Sequence, residues 1–166
     1  MILRIRPAVR QDLPKLLDIY NDAVIHSAAT FDLTPQTLQE RERWFAQFNE
    51  RFPIIVAENE SGVAGYCCLT PYRPKPAYQL TAELSIYLDT DCRGGGIGSV
   101  LLQHMIDMAR DLGFHVLISG ITGGNEASVR LHRKFGFTEA GVLREVGCKF
   151  NAWQDVYLYQ LILERT

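Results

Sequence analysis

Apolar and polar positions divide the chain into segments of two periods. Residues 2–6 interleave apolar and basic side chains and read as a short strand. Asp12-Leu13-Pro14 fits the first turn of a helix, where proline loses nothing by lacking an N–H. Leu13, Leu16, Leu17, Tyr20 and Val24 then recur near helical period, and Thr34-Pro35 opens a second helical stretch with Leu38, Phe45 and Phe48 inward. Residues 53–58 and 63–69 are apolar runs on either side of Asn59-Glu60-Ser61-Gly62, the signal of a hairpin. Pro71, Pro74 and Pro76 make an irregular loop that carries Arg73 and Lys75. Residues 81–88 give the clearest strand, with Leu84, Ile86 and Leu88 on one face and Glu83, Ser85 and Tyr87 on the other. Ile97, Leu101, Met105, Met108 and Leu112 return to helical spacing before Gly113. Residues 116–121 form a strand, 127–134 a short helix closed by Gly136, and 138–146 and 155–163 two last strands. No repeat or linker interrupts the series. The order predicts an α/β protein, residues 1–166 as a single domain, with a mixed twisted central sheet of about seven strands flanked by helices.

The chemistry is easiest to argue at Arg93-Gly94-Gly95-Gly96-Ile97-Gly98, between a strand and a helix. Glycines let the backbone turn sharply and approach a ligand without Cβ clashes. The free N–H groups of the following helix, with the positive end of its dipole, suit a phosphate, and Arg93 adds a charge. A Walker A loop would need Lys before Ser99. A dinucleotide fingerprint would need a third glycine where Ser99 stands. A ligand-free tight turn is the competing reading, but three consecutive glycines cost backbone entropy.

Composition narrows the classes. The length of 166 residues suits one domain with a core of its own. Apolar residues at 47% and charged residues at 22% argue against a disordered chain. Seventeen basic against nineteen acidic residues leave no excess to neutralise many phosphates, so nucleic acid is not an expected partner. No apolar run approaches the roughly 18 residues of a membrane span, and the first residues lack the pattern of a secretory leader. Cys67, Cys68, Cys92 and Cys148 show no metal-ligand spacing and read as free thiols of a cytoplasmic protein without a metal.

Arg93-x-x-Gly96-x-Gly98 after an apolar strand resembles the acetyl-CoA pyrophosphate loop of the GNAT N-acetyltransferase superfamily. Asn125-x-x-Ser128-x-x-Leu131-His132-x-x-x-Gly136-Phe137 resembles that superfamily's next signature. Ile19-Tyr20-Asn21, Thr30-Phe31, the strand from Thr81 to Leu88, Ser128-Val129-Arg130-Leu131-His132, and Gly147-Cys148-Lys149 with Trp153-x-Asp155-Val156 are similar to the phosphinothricin acetyltransferase family. The resemblance spans residues 19 to 156. It implies the GNAT fold and acetyl transfer from acetyl-CoA to the α-amino group of a small amino-acid analogue such as phosphinothricin, methionine sulfoximine or methionine sulfone. It also implies a homodimer.

By the same resemblance, Ile86, Tyr87 and Leu88 lie beside the pantetheine arm, and the backbone of Gly94, Gly95, Gly96, Ile97, Gly98 and Ser99 lies on the pyrophosphate. Leu88 N–H faces the thioester oxygen, where charge develops in the transition state. Glu83 is the base for the amine, and His132 stands where many relatives carry a tyrosine acid, with its role as acid or base left open. Asn125 and Ser128 touch the pantetheine arm or cap a helix. Arg73 and Lys75 grip the substrate's acidic group, since Arg matches a carboxylate or phosphinate with two parallel hydrogen bonds. Phe31, Ser85, Tyr87 and Lys149 wall the substrate pocket. The chain departs from the family at Gly95, where a basic residue is frequent, and at Cys148, where larger residues are. Two rivals remain at this point: the same fold acting on a polyamine, an aminoglycoside or a protein N-terminus, and a CoA-binding regulator without turnover.

Overall fold

A computed structural model describes residues 2–164. Seven strands form one sheet in the order β1-β2-β3-β4-β5-β7-β6. They are β1 (Arg4–Pro7), β2 (Ile54–Asn59), β3 (Gly62–Pro71), β4 (Thr81–Leu88), β5 (Val116–Thr122), β6 (Thr138–Lys149) and β7 (Ala152–Ile162). Four helices cover it: α1 (Leu13–His26), α2 (Leu38–Phe45), α3 (Ile97–Asp111) and α4 (Glu126–Lys134). All neighbouring strands run antiparallel except β4 and β5.

β2 and β3 are near-continuous apolar runs because both of their faces are covered. On one face Ile55, Ala57, Cys67, Leu69 and Leu84 pack under α3, which turns Ile97, Leu101, Leu102, Met105, Ile106 and Ala109 inward. On the other, Ile54, Val56, Tyr66 and Cys68 meet Leu13, Leu16 and Ile19 of α1. Each fully buried Leu or Ile contributes about 1.5–3 kcal/mol, so this two-sided core holds β4 in place.

Two boundaries differ from the sequence pattern. The second helix begins at Leu38 rather than near Thr34-Pro35, because Thr37 and Glu40 form a capping box: Glu40 N–H donates to Thr37 Oγ1 and Thr37 N–H to Glu40 Oε2. The last two strands are longer than expected and form a hairpin that turns at Phe150 and Asn151, both at positive φ.

The first strand is pinned by a three-way ion cluster. Arg6 donates to both carboxylate oxygens of Asp12, at 2.7 and 2.9 Å, and to both of Glu58, each at 3.1 Å. This ties β1 to the start of α1 and to β2.

Candidate active site

β4 is paired with β3 over seven residues, from Gly65↔Leu88 to Pro71↔Ala82. Its pairing with β5 stops after three, at Glu83↔Ile118. β5 then turns to β7, with which it pairs through Thr122↔Val156. The two central strands therefore splay, and the gap opens beside Leu84 to Leu88.

The direction of the backbone in that gap follows from the ladder. Asp89 N–H bonds Ala64 O at 2.9 Å. Antiparallel pairing alternates, so the N–H groups of Leu88 and Ile86 point away from β3 and into the splay. Leu88 thus presents a free backbone donor at the end of the strand.

A cleft of about 610 Å³ occupies the splay. Ile86, Tyr87 and Leu88 line it from β4, and Arg93, Gly94, Gly96, Gly98 and Ser99 from the glycine loop and the start of α3. Gly94 and Gly96 adopt φ of 79° and 82°, a left-handed region costly to residues with a Cβ. Gly96 is the N-cap of α3, and the next N–H groups, of Ile97 and Gly98, point out of the helix start. Ser99 Oγ accepts from Lys134 Nζ at 3.1 Å, which sets an ammonium beside this anion-suited end. An open strand edge, a glycine-rich helix start and two cations fit a long donor with a pyrophosphate.

A second cavity of about 60 Å³ lies deeper in the splay. This exceeds the ~10–15 Å³ of probe space that one water needs. Glu83 and Ser85 border it from β4, Ser119 from β5, and Asn125, Ser128 and His132 from α4 and its cap. It shares Ile86, Tyr87, Asn125 and Ser128 with the larger cleft, so the two adjoin. Burial pushes the Glu83 carboxyl above its ordinary value, which suits a base near neutral pH. Burial lowers the pKa of the His132 imidazole against a smaller opposing effect of the bond to Ser128, so the ring rests neutral.

Asn125 caps a helix, as one of its two expected roles has it, and stands at the cavities. Its side chain caps α4 by accepting from Ser128 N–H at 3.3 Å, and it borders both cavities. Tyr87 stacks on Tyr66 with ring centroids 5.4 Å apart and meets Tyr20 edge-on at 5.5 Å. Behind them lies a buried cation absent from the sequence reading: Arg41 stands 3.4 Å over the Trp44 ring and donates to Tyr66 Oη at 2.5 Å.

Several expected residues are placed elsewhere. Arg73 and Lys75 border a different cavity, with Arg51 and Gln79, and are not brought to Glu83. Their loop folds back on Arg51, whose guanidinium donates to Gln79 O and Leu112 O. Lys149 offers no charge to the site: it is buried and donates to Thr30 O at 2.8 Å, and burial lowers its pKa. Phe31 lines neither cavity; its ring lies across Gly147 of β6, where a Cβ would sit 2.5 Å from Phe31 Cε2. Ile97 is core, so its side chain has no ligand role, and Gly95 does not border the cleft.

The residues missed are mostly small. Ala28 and Ala29 line the cleft from the loop after α1, which is anchored when Thr122 Oγ1 donates to Ala28 O at 2.6 Å. Gly123 and Gly124 line it just ahead of Asn125, and this glycine pair was a readable signal. Ser119 carried none: a lone serine in an apolar strand.

Residues 5–158 match the family described as "Acetyltransferase (GNAT) domain". The chain belongs to this family of acetyltransferases. It is 42% identical over 168 residues to the L-methionine sulfoximine/L-methionine sulfone acetyltransferase of Pseudomonas paraeruginosa, covering 100% of this chain and 98% of that one. Among solved structures it is similar to an N-acetyltransferase from Staphylococcus aureus Mu50, with TM-score 0.96, 44% identity, and 99% and 100% of the two chains covered. It is also similar to a GNAT superfamily phosphinothricin acetyltransferase from Sinorhizobium meliloti in complex with AcCoA, with TM-score 0.93, 34% identity, and 98% and 89% covered.

Proposed function

We propose that this chain moves the acetyl group of acetyl-CoA to the α-amino group of a small amino-acid analogue of the phosphinothricin, methionine sulfoximine or methionine sulfone type. The observation that carries the reading is the open edge of β4, with a free Leu88 N–H at one end of the splay and a half-buried carboxylate, Glu83, at the other. The relatives' names supply the class of amine.

Acetyl-CoA supplies the activated thioester. Arg93, the N–H groups at the start of α3 and the turns at Gly94 and Gly96 hold the pyrophosphate. The edge of Ile86 and Leu88 aligns the arm, and Leu88 N–H stabilises negative charge on the thioester oxygen. The amine arrives as an ammonium, and Glu83 removes its proton, directly or through a water in the deep cavity. The free amine then attacks the thioester carbonyl: the C–N bond forms as the C–S bond breaks, the nitrogen gives up its second proton, and CoA leaves as the thiol once its sulfur takes up a proton. His132 is the second titrating group at that cavity. Asn125 and Ser128 border both spaces and orient the arm. None of these roles calls for a metal or a covalent acyl-enzyme.

The chain acts as a single domain in the cytoplasm. One sheet runs through all seven strands, and four cysteines are free. It works as a homodimer: Val146, Phe150 and Trp153 expose 54%, 58% and 68% of their surface on the β6–β7 hairpin, an apolar patch that a second copy would cover. Acetylation removes the positive charge of the amine, so turnover of such analogues confers resistance to them.

A thiol-release assay tests the reading against phosphinothricin, methionine sulfoximine, methionine sulfone, ordinary amino acids, spermidine and an aminoglycoside. Turnover confined to amino-acid analogues is expected. Turnover of spermidine or the aminoglycoside alone would overturn the substrate class. Acetyl-CoA binding with no turnover of any amine would overturn the activity.

A further inference from the structure

His132 is 2% exposed, and both ring nitrogens are engaged. Nδ1 lies 2.8 Å from Ser128 O and 3.3 Å from Ser128 Oγ. A carbonyl oxygen only accepts, so Nδ1 carries a hydrogen in both the neutral and the charged ring. The Phe137 ring closes one side edge-on, with centroids 4.9 Å apart. All change of protonation is thereby confined to Nε2. That atom lies 3.1 Å from Ser119 Oγ.

Ser119 is itself 2% exposed and sits one residue beyond the last β4–β5 pair. Its Oγ lies 3.1 Å from Leu84 O on the opposite side of the splay. The hydroxyl has one hydrogen and, while His132 is neutral, two acceptors: Nε2 and Leu84 O. Once His132 is charged, Nε2–H donates to Ser119 Oγ and the hydroxyl donates to Leu84 O. Every group then has a partner. These bonds to the charged ring offset part of the cost of burying an imidazolium at the place where the reaction must put a proton. Ser119, Glu83 and His132 border the same small cavity, whose ionisable side chains are Glu83, Tyr87 and His132.

We propose that Ser119 is the relay through which His132 takes up the proton released in the Glu83 cavity. The inference rests on the acetyl-transfer reading above. Glu83 passes the proton it has taken from the ammonium to a water, and that water gives a proton to Ser119 Oγ as the serine's own hydroxyl proton passes to Nε2. The water returns neutral, Ser119 keeps one hydrogen, and His132 becomes imidazolium held by Ser128 O and Ser119 Oγ. The proton leaves by the reverse path after the product does. His132 therefore stores a proton and does not touch the leaving sulfur. Ser119 is a positioning residue that acts through it.

The test compares Ser119→Ala, Ser119→Thr, His132→Ala and the double Ala variant, in kcat against pH and in ¹⁵N-histidine NMR of the free protein, which has four histidines. Ser119→Ala is expected to lower kcat ten-fold or more and to remove the same pH limb as His132→Ala, with the acetyl-CoA KM unchanged. The double variant is expected to be no slower than His132→Ala alone. Ser119→Thr, which keeps the hydroxyl, restores most of the rate. In the wild type, neutral His132 is expected as the Nδ1–H tautomer, with a pKa that falls further in Ser119→Ala. A kcat for Ser119→Ala within two-fold of wild type, additive losses in the double variant, or an Nε2–H tautomer in the wild type would overturn the relay. The tautomer needs no variant, so a Ser119 variant that fails to fold does not protect the proposal. Should the wild type acetylate no amine, the functional reading falls, and an unmoved His132 pKa in Ser119→Ala would separately remove the relay.

Discussion

The two edges of β4 face opposite fates. Toward β3 the ladder closes over seven residues, and Ala82 and Leu84 within it are core. Toward β5 it closes over three, and the free edge meets a cleft, a half-buried carboxylate and a buried histidine. The strand, the residue types and the burial of Leu84 are the same for both edges. What differs is whether a neighbouring strand uses the backbone groups. A sheet that keeps every bond offers no donor to a ligand, and one that loses its bonds generally is unstable. This sheet confines the loss to one gap, with the fully paired strands on one side and the β5–β7 pair on the other.

Predictions follow from treating the edges separately, and the largest concerns the open one. Glu83→Gln should lower kcat by about 100-fold or more with little change in the acetyl-CoA KM, measured by thiol release. The same variant should melt slightly higher at neutral pH. The carboxyl's pKa is raised by burial, so the folded state holds the proton more tightly than the unfolded state. Stability is therefore lost as pH rises from the unfolded value through the folded one, and Gln escapes that loss. In the wild type, kcat should fall as pH drops through a limb above the ordinary carboxylate range.

The closed side should behave in the opposite way. Arg6→Ala breaks a largely buried cluster far from the splay and should cost about 2 kcal/mol in denaturant unfolding, with kcat per folded molecule unchanged. Asp12 has its pKa raised by burial, but the Arg6 and Val9 hydrogen bonds outweigh this and leave it below the ordinary value. Its stabilisation is thus present above the unfolded carboxylate pKa of about 3.9 and lost as pH falls through the folded value. Arg6→Ala should flatten that acid limb. A change in its kcat would mean that the two edges are coupled.

Smaller effects concern the rim of the cleft. Gly96→Ala forces a Cβ into φ 82°, at a cost of about 1–2 kcal/mol, and should raise the acetyl-CoA KM about ten-fold and lower the melting temperature by a few degrees. Lys149→Met removes the anchor on Thr30 O and should raise the amine KM about three-fold, with no change in the acetyl-CoA KM. An equal effect on both substrates would mean that the Lys149 anchor also fixes Ala28 and Ala29, which line the donor cleft.

Much of this was legible in the sequence. Strand 81–88 showed its two faces, and Gly94 to Gly98 announced a sharp turn into a helix start at the cleft, because local backbone demands are written in local residue types. Capping by Thr37 and Glu40 was equally local and readable, though Thr34-Pro35 drew attention first. Arg73, Lys75, Phe31 and Lys149 stand apart from Glu83 for a common reason: a charge or an aromatic ring has many partners, and folding set them against Arg51's loop, Gly147 and Thr30 O. Arg41 and Ser119 gave no signal, since neither sits in a motif and each matters only through what surrounds it.

By itself the sequence determined the seven strands, the four helices, the glycine turn and the acidic strand position, since period and turn chemistry act over a few residues. Only the tertiary structure decided where β4 and β5 part, that Leu88 N–H faces the gap, and that Ser119, separated from His132 by 13 residues, meets its Nε2. Those facts depend on hydrogen bonds between segments distant along the chain, and no local pattern encodes which of two strand edges will be left open.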